Sequence, residues 1–378
     1  MLSKLRIGQI AVVLPSGERL VGRGKTPGAE GTIVLHRWSV IYRLLLGGDI
    51  GLAEAYASGG WSSPDLPAFL TVAAQNMDVL DRDISPWGPV RALNVIRHLR
   101  RANSRAGSKR NIAEHYDLGN EFYRLWLDES MTYSSAVFTE AGQSLEDAQH
   151  RKLGKIVEQL ALRGDEHVLE IGCGWGSLAA QIAEVGARVV GLTLSTEQLA
   201  YGRAKLEDKG LGDRIDLRLE DYRNVEGTFD RVVSIEMIEA VGERYWPDYF
   251  RSIRRCLRPG GMAVLQAITI REDRFEGYRR NPDFIQRYIF PGGMLPTDPK
   301  IVQGATDAGL RFLDRERFGE SYALTLAEWR RRFLASHAAL DKLGFHLPFR
   351  HLWEYYLAYS EAGLRAGLID VALYRFAA

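Results

Sequence analysis

The strongest constraint on the fold comes from residues 168–198, VLEIGCGWGSLAAQIAEVGARVVGLTLSTEQ. The pattern changes from a short apolar run to a glycine-rich turn, then to helical spacing, and then to a second β-branched run. This succession predicts a strand, a turn, a helix and a second strand. Small residues let the backbone of the turn approach a ligand closely at a helix N-terminus, so the segment predicts a nucleotide-binding site.

The remainder of the C-terminal part repeats the same alternation. Helical windows separate the predicted strands, which are 167–172, 188–194, 214–220, 229–235 and 262–270. This alternation predicts an α/β fold with a parallel sheet that helices cover on both faces. Ligands bind beyond the carboxyl ends of the strands in such sheets, so functional side chains are expected there.

The length of 378 residues predicts two domains. Residues 1–90 combine strand-like runs such as QIAVVLP and GTIVLHR with helical patterns, which predicts a small α+β domain. Residues 91–110 form a basic linker, and residues 111–378 form the expected catalytic domain. The linker is either simply solvated or a patch for anionic headgroups, to which each basic residue adds ~1 kcal/mol.

Charge and cysteine content exclude several classes of protein. A net charge of +1 gives no overall attraction to nucleic acid. Two cysteines, Cys173 and Cys256, allow at most one disulfide, which indicates a reducing, cytoplasmic compartment. The N-terminal segment lacks the features of a signal peptide, and no window reaches the roughly 18 apolar residues of a membrane span. We therefore expect a soluble protein or one peripheral to the inner face of the membrane.

The glycine turn differs from a dinucleotide-binding turn. In Gly172-Cys173-Gly174-Trp175-Gly176 the third glycine comes one residue early, and Thr193 stands where an acidic residue would be expected. Glu170, at the strand end before the turn, would repel a pyrophosphate but suits a cationic ligand. These features predict S-adenosylmethionine (SAM), which carries an ammonium and a sulfonium; the alternative is a tight turn without a ligand.

Two further loops contain candidate ligand-binding residues. Ser195 and Gln198 follow the second strand, but their spacing also fits a helix capping box. Asp221 and Tyr222 follow the third strand and could supply a carboxylate and a ring beside an adenine, or could lie in a surface loop.

Five motifs together resemble the cyclopropane-fatty-acyl-phospholipid synthase family, which includes the mycolic acid cyclopropane synthases. They are HYDLGNEFYRLWLDESMTYSSAVF (115–138), VLEIGCGWGSLA (168–179), GLTLSTEQ (191–198), QRYIFPGGMLP (286–296) and YYLAYSEAGLRAGLIDV (355–371). The N-terminal segment GGDIGLAEAYASGGW (47–61) also resembles the extra domain of bacterial members.

The resemblance implies a Rossmann-like, SAM-dependent methyltransferase fold with a mostly parallel seven-stranded sheet and helical lid insertions. It implies that the residues around SAM are Tyr133, Ser134, Glu170, Gly172, Gly174, Thr193, Leu194, Gln198, Asp221, Tyr222 and Ile235. It implies an active-site anion pocket for bicarbonate that is formed by Glu239, Tyr322, Gln266, Ser135 and the backbone of Ile268. Tyr116 would lie near the acyl chain. No metal is implied.

The sequence departs from the family pattern inside the anion pocket. Ser135 replaces a cysteine, Ala240 replaces a histidine, and Glu236 stands where the family usually has glycine. Gln266 occupies the place of a histidine that holds bicarbonate, and a neutral amide offers no positive charge. Bicarbonate is therefore expected to bind more weakly or not at all.

The predicted activity is transfer of a methyl or methylene group from SAM to the double bond of an unsaturated, phospholipid-bound acyl chain. Glu239 and the rings of Tyr322 and Tyr133 would stabilise the resulting carbocation, although Glu239 is also typical of a helix start. The expected product is a cyclopropane or, because histidine is absent at 266 and 240, a methyl-branched or methylene-bearing chain. Expected partners are unsaturated phospholipid chains, an anionic membrane surface and, as one option, a second copy of the chain.

Two other functions stay open at this point. One is a SAM-dependent methyltransferase that acts on a small-molecule amine or hydroxyl, which would need no carbocation stabiliser. The other is a non-catalytic lipid-binding protein. The aromatic residues of the C-terminal part, from Trp329 to Tyr359, either line a tunnel or belong to the core, and residues 284–290 are the candidate lid beside Arg279, Arg280 and Arg287.

Overall fold

The computed structural model describes residues 2–80 and 118–378. Tyr116 and the basic segment 91–110 lie outside the described residues, so their predicted roles stay predictions. Within the described part, two compact units can be distinguished. The first contains residues 2–80, 276–289 and 323–369, and the second contains the remainder.

The first unit begins with a four-stranded sheet. Its strands are β1 (Ile7–Val13), β2 (Arg19–Arg23), β3 (Thr26–Leu35) and β4 (Trp61–Ser62), in the spatial order β2-β1-β3-β4. Its first helices are α1 (Ser39–Ala57), α2 (Leu66–Gln75) and α3 (Met77–Leu80). The helix α1 is kinked at Gly48, whose backbone is not helical and has a φ of 61°. The observed elements match the predicted α+β character of this segment.

The aromatic side chains of the first unit pack into its core. Tyr56 lies 4.8 Å from Trp61 and 5.7 Å from Tyr355 between ring centroids, and its hydroxyl donates to Glu354 at 2.9 Å. Phe284 is buried with its edge against Tyr355 at 5.0 Å. Among the aromatic residues from Trp329 to Tyr359, the buried ones are Trp329, Phe333, Trp353, Tyr355 and Tyr356. Burial of these five supports the core alternative for them.

The second unit is built on a seven-stranded sheet. Its strands are β5 (His167–Ile171), β6 (Arg188–Thr193), β7 (Ile215–Leu219), β8 (Phe229–Ile235), β9 (Leu257–Ile270), β10 (Arg311–Arg317) and β11 (Ile369–Ala377). The spatial order is β10-β11-β9-β8-β5-β6-β7; β9, β8, β5, β6 and β7 are parallel, and β10 is antiparallel to β11. The predicted α/β class and its mostly parallel seven-stranded sheet are confirmed.

Helices and short turns connect these strands and continue into the C-terminal part. They are α4 (Asn120–Arg124), α5 (Leu145–Leu160), α6 (Ser177–Glu184), α7 (Thr196–Asp208), α8 (Ile238–Val241), α9 (Trp246–Cys256), α10 (Glu272–Arg280), α11 (Asp298–Asp307), α12 (Gly319–Ala335), α13 (His337–Lys342) and α14 (Leu347–Arg365). Short 3-10 turns cover Leu2–Lys4 and Glu243–Tyr245, and Ile285–Ile289 forms a π-helical turn.

All five strands predicted in the C-terminal part are present. Only β9 differs by more than two residues, because it begins at Leu257 and not at residue 262. Val168 on β5, Val232 on β8 and Val264 on β9 are fully buried, which is typical of a sheet covered on both faces.

The strand order places a crevice at the centre of the sheet. Strand β5 lies between β6 and β8, so the chain leaves β5 toward one side and returns to the other side. Ligands bind at this topological switch point, beyond the carboxyl ends of the strands.

In the described part of the chain, no helix is both long enough and apolar enough to cross a membrane.

Candidate active site

A crevice opens at the carboxyl ends of β5, β6, β7 and β8 in the second unit. Its walls contain all eleven residues predicted to surround SAM, namely Tyr133, Ser134, Glu170, Gly172, Gly174, Thr193, Leu194, Gln198, Asp221, Tyr222 and Ile235. They come from five separate segments of the chain, which the parallel sheet brings together. Their individual roles toward SAM stay predictions.

The glycine turn after β5 is built for close approach of a ligand. Gly172 and Gly174 both have positive φ, at 83° and 53°, a conformation that side chains disfavour. A Cβ added at Gly172 would lie 2.5 Å from Cγ of Met237, so the protein itself fills that space. A Cβ at Gly174 would meet nothing within 4 Å, although Gly174 lines the crevice. The open space at Gly174 therefore belongs to the crevice.

A buried lysine also lines the crevice. Lys152 on α5 is almost fully buried, and its Nζ donates to Oγ of Ser134 at 2.8 Å. Burial lowers the pKa of Lys152 to about 8, although the nearby carboxylates of Glu236, Asp128 and Glu170 oppose that shift. Lys152 was not among the residues predicted from the sequence. The available signal was its position on the apolar face of α5, where a charged residue is unexpected.

Glu170 faces the crevice from the end of β5. Burial raises the pKa of Glu170 to about 8, and the positive charge of Lys152 opposes this shift. Its Oε2 is buried without a hydrogen-bond partner. A buried carboxyl with an unused oxygen in the crevice wall suits a cationic ligand group, because such a ligand would favour the ionised form.

The loop after β6 contains both a helix cap and a side-chain pair. Oγ of Ser195 accepts a hydrogen bond from the backbone N–H of Gln198 at 3.2 Å, so Ser195 caps α7 as the capping pattern predicts. The side chain of Gln198 does not complete the reciprocal box. Its Oε1 accepts from the hydroxyl of Thr193 at 2.8 Å, and the backbone N–H of Ser195 donates to Thr193. Gln198 therefore presents its amide in the crevice wall.

The first residues of the loop after β7, Asp221 to Arg223, are largely shielded from solvent. Arg223 donates to the carboxylate of Asp221 at 2.8 Å through Nε, and both side chains are mostly shielded from solvent. The ring of Tyr222 packs edge-on against Tyr249 at 5.6 Å. This burial argues against the surface-loop alternative, and the Asp221–Arg223 pair holds the loop at the crevice.

An aromatic cluster holds the segment before Ser134. Tyr133 packs against Tyr123 at 5.5 Å and against Trp126 at 5.4 Å, while Tyr123 also contacts Trp175 of the glycine turn at 5.3 Å. Nε1 of Trp175 donates to Asn120 at 2.7 Å. The cluster fixes the Tyr133–Ser135 segment against the turn, which explains why residues so distant in sequence share one wall.

A hydrogen-bonded cluster centred on the carboxylate of Glu236 adjoins the crevice at the end of β8. The side chain of Glu236 is partly buried and accepts three hydrogen bonds. The donors are the backbone N–H of Ser135 at 2.9 Å, Nε2 of Gln266 at 2.7 Å and the hydroxyl of Tyr322 at 3.1 Å. Burial raises the pKa of Glu236, and these three donors oppose the shift. Glu236 thus connects three residues that were predicted to line an anion pocket.

Glu239 lies next to this cluster on α8. One oxygen accepts a hydrogen bond from the backbone N–H of Ile268, and the other, Oε2, is buried without a partner. Burial, together with repulsion from Glu236, raises the pKa of Glu239 to about 8. A carboxyl with this pKa is mostly protonated at neutral pH. The five residues of the predicted anion pocket are therefore brought together around Glu236 and Glu239.

Comparison with known proteins identifies the family of this chain. Residues 103–374 match the family described as mycolic acid cyclopropane synthetase. The chain belongs to this family. It is 41% identical over 350 residues to the tuberculostearic acid methyltransferase of Mycobacterium tuberculosis, covering 90% of this chain and 82% of that protein. It is 34% identical over 330 residues to the cyclopropane-fatty-acyl-phospholipid synthase of Escherichia coli, covering 86% and 82%.

Solved structures of the family have the same catalytic fold. The mycolic acid cyclopropane synthase CmaA1, complexed with SAH and CTAB, superposes with a TM-score of 0.67 and is 27% identical, covering 71% of this chain and 98% of that chain. The chain is accordingly a SAM-dependent methyltransferase, as the sequence predicted. The crevice at the glycine turn, with Glu170 in its wall, fits the cationic character of SAM.

A bicarbonate ion does not fit the residues present beside that crevice. Each donor that would bind it already has a carboxylate acceptor from the chain itself. Ser135, Gln266 and Tyr322 donate to Glu236, and Ile268 donates to Glu239. An added anion would have to displace these acceptors while facing two partly buried carboxyl groups. These contacts give a physical reason for the expectation, based on Gln266, that bicarbonate binds weakly or not at all.

Proposed function

We propose that this methyltransferase alkylates the double bond of an unsaturated fatty-acyl chain carried by a phospholipid. The observation that carries the proposal is the pair of partly buried carboxyl groups, Glu236 and Glu239, beside the SAM crevice. Transfer to a nitrogen or oxygen nucleophile creates no carbocation, so it needs no carbocation stabiliser. The names of two relatives, a tuberculostearic acid methyltransferase and a cyclopropane-fatty-acyl-phospholipid synthase, support the same substrate class.

The chemistry explains why negative groups belong in this site. An alkene is a poor nucleophile, and SAM when bound supplies a strongly electrophilic methyl group. Attack by the π electrons leaves a positive charge on the neighbouring carbon of the acyl chain. A fixed carboxylate in a dry site stabilises this charge more than water would, because it needs no reorganisation. Glu236, held by three donors, is fixed in this way.

We further propose that the product bears a methylene branch and no ring. A 1,2-hydride shift moves the positive charge to the carbon that carries the new methyl group. Loss of a proton from that methyl group then leaves its electron pair as a carbon–carbon double bond. A saturated methyl branch would need an added hydride donor, so it would require a separate reducing enzyme. The substitution of both family histidines, at 240 and 266, supports a route that differs from ring closure.

The proposal is tested with methyl-labelled SAM and vesicles of a phospholipid with monounsaturated chains. We expect the label in the acyl chains, and we expect NMR of the released fatty acids to show a terminal alkene carbon. A labelled cyclopropane carbon would refute the methylene product but keep the substrate class. Label in the headgroup, or transfer only to small amines and alcohols, would refute the substrate class.

A further inference from the structure

We propose that the carboxylate of Glu236 accepts the proton lost by the alkylated acyl chain, so that the enzyme carries its own base and needs no dissolved anion. This inference rests on the proposed function, because it assigns the last step of that reaction. It also explains why the hydrogen-bond donors of the predicted anion pocket already have carboxylate acceptors within the chain.

The hydrogen bonds to Glu236 hold an anion. Its donors come from three distant parts of the second unit: Ser135 before α5, Gln266 on β9 and Tyr322 on α12. A deprotonated carboxylate only accepts hydrogen bonds, and three donors directed at it favour the charged form. Glu236 also forms part of the crevice wall. It is therefore a partly buried base with access to the ligand space.

The backbone conformation at residue 236 is unfavourable for any residue with a side chain, which indicates that Glu236 has a functional role. The φ angle of Glu236 is 51°, in the left-handed region where glycine is favoured. Burial of a carboxylate at such a position is doubly unfavourable, and strained residues of this kind cluster at functional sites. If residue 236 only linked neighbouring segments through hydrogen bonds, it would not need an ionisable group that faces the crevice.

Glu239 is less suited to the same role. It receives one hydrogen bond, from Ile268, and repulsion from Glu236 together with burial keeps it protonated at neutral pH. A protonated carboxyl cannot accept the proton. The two groups therefore have different roles, with Glu236 as the base and Glu239 as a neutral neighbour.

The proposed step balances without an added reactant. A C–H bond of the transferred methyl group breaks, and its electron pair forms the new carbon–carbon bond at the cationic centre. The proton passes to an oxygen of Glu236, which becomes neutral. Release of this proton to solvent restores the carboxylate for the next turnover. The same proton acceptor would serve either ring closure or methylene formation.

The test compares Glu236→Gln and Glu236→Gly with the wild type in buffer freed of carbon dioxide. We expect wild-type turnover to be the same with and without bicarbonate. Glu236→Gln should lose at least about 100-fold in rate, a typical contribution of a positioned base. Glu236→Gly should be inactive, but it should regain turnover as formate or bicarbonate is added, because a small anion can then take the place of the missing carboxylate. The matched control is Glu207→Gln, at an exposed glutamate on α7.

A second measurement does not depend on turnover. Binding of 13C-labelled bicarbonate is followed by NMR line broadening; we expect binding to Glu236→Gly and none to the wild type. Bicarbonate binding to the wild type, a wild-type rate that falls when bicarbonate is removed, or full activity of Glu236→Gln would each overturn the inference. If the wild type methylates no acyl chain, the proposed function fails, yet this comparison still decides whether Glu236 holds the anion position.

Discussion

Nε2 of Gln266 donates a hydrogen bond to the carboxylate of Glu236 at 2.7 Å; Glu236 directly follows β8, and Gln266 lies on the neighbouring strand β9 opposite Ile235. The backbone N–H of Glu236 also donates to the carbonyl of Gln266 at 2.8 Å. Glu236 and Gln266, two of the positions that depart from the family pattern, therefore form one hydrogen-bonded unit. A neutral amide is sufficient at 266 because the anion it binds is covalently part of the chain and cannot dissociate.

The hydroxyl of Tyr322 should set the pH at which Glu236 becomes active. Tyr322→Phe removes one of the three donors, so the pKa of Glu236 should rise further. We expect the acid limb of the rate profile to move to higher pH and the rate at neutral pH to fall about 10-fold, in keeping with the loss of one hydrogen bond to a charged group. Rates are measured from about pH 5 to pH 9.

Tyr374→Phe is the matched control for Tyr322→Phe. The hydroxyl of Tyr374 also donates to a largely buried carboxylate, that of Asp298, at 2.7 Å, but neither residue belongs to the crevice wall. This variant should leave the acid limb unchanged. An equal shift in both variants would mean that Tyr322 acts only through general stability.

Glu239 should make stability depend on pH in a defined direction. Its pKa rises from 4.5 to about 8 on folding, so the folded protein holds more protons than the unfolded chain between these values. Stability is therefore greatest at or below about pH 4.5 for this group and falls as pH rises to about 8. Glu239→Gln cannot titrate. We expect its melting temperature, relative to the wild type, to increase steadily from about pH 5 to pH 8 in thermal melts; a constant difference would contradict the raised pKa.

Gly174→Ala should separate ligand binding from folding. The added methyl group meets no protein atom within 4 Å, and the positive φ alone should cost about 1 kcal/mol of unfolding free energy. The methyl group enters the crevice, so SAM affinity should fall at least about 10-fold by calorimetry, which is about 1.4 kcal/mol. Gly210→Ala has the same positive φ and open surroundings outside the crevice, and should lose stability only. Unchanged affinity in Gly174→Ala would place SAM elsewhere.

Glu170→Gln tests the cationic side of the SAM site. The variant keeps the shape of the side chain but cannot adopt the ionised form that a bound cation would favour, so SAM affinity should fall about 10- to 100-fold, the range for a hydrogen bond to a charged group. Binding is measured by calorimetry with SAM, and Glu207→Gln again serves as the control. Equal affinities in the two variants would show that Glu170 does not contact the cationic part of SAM.

Much of this arrangement could be predicted from local sequence patterns. The five parallel strands, the glycine turn and the Ser195 cap depend on residues close together in the chain, and each was found near its predicted position. The eleven crevice residues followed from the rule that parallel strands end at one edge, together with the family resemblance. The strands and the turn can be predicted from a single sequence because they depend on patterns among residues close together in the chain.

The role of Glu236 could not be predicted in this way. In the sequence it was only an unexpected residue where the family has glycine. Its partners, Ser135 and Tyr322, lie 101 and 86 positions away, so their convergence depends on the packing of α12 and of the segment before α5. Lys152 is similar, because its effect on Glu170 depends on how α5 is placed at the crevice. Long-range contacts among polar groups leave no periodic signal.

The most direct test of the central claim uses SAM with a fully deuterated methyl group and a phospholipid with defined monounsaturated chains. After turnover, the fatty acids are released and analysed by mass spectrometry and NMR. We predict that each modified chain retains two of the three deuterons, on a carbon attached at the former double bond. Modified lipid with the label on a headgroup atom, or acyl chains free of deuterium, would contradict the proposed function.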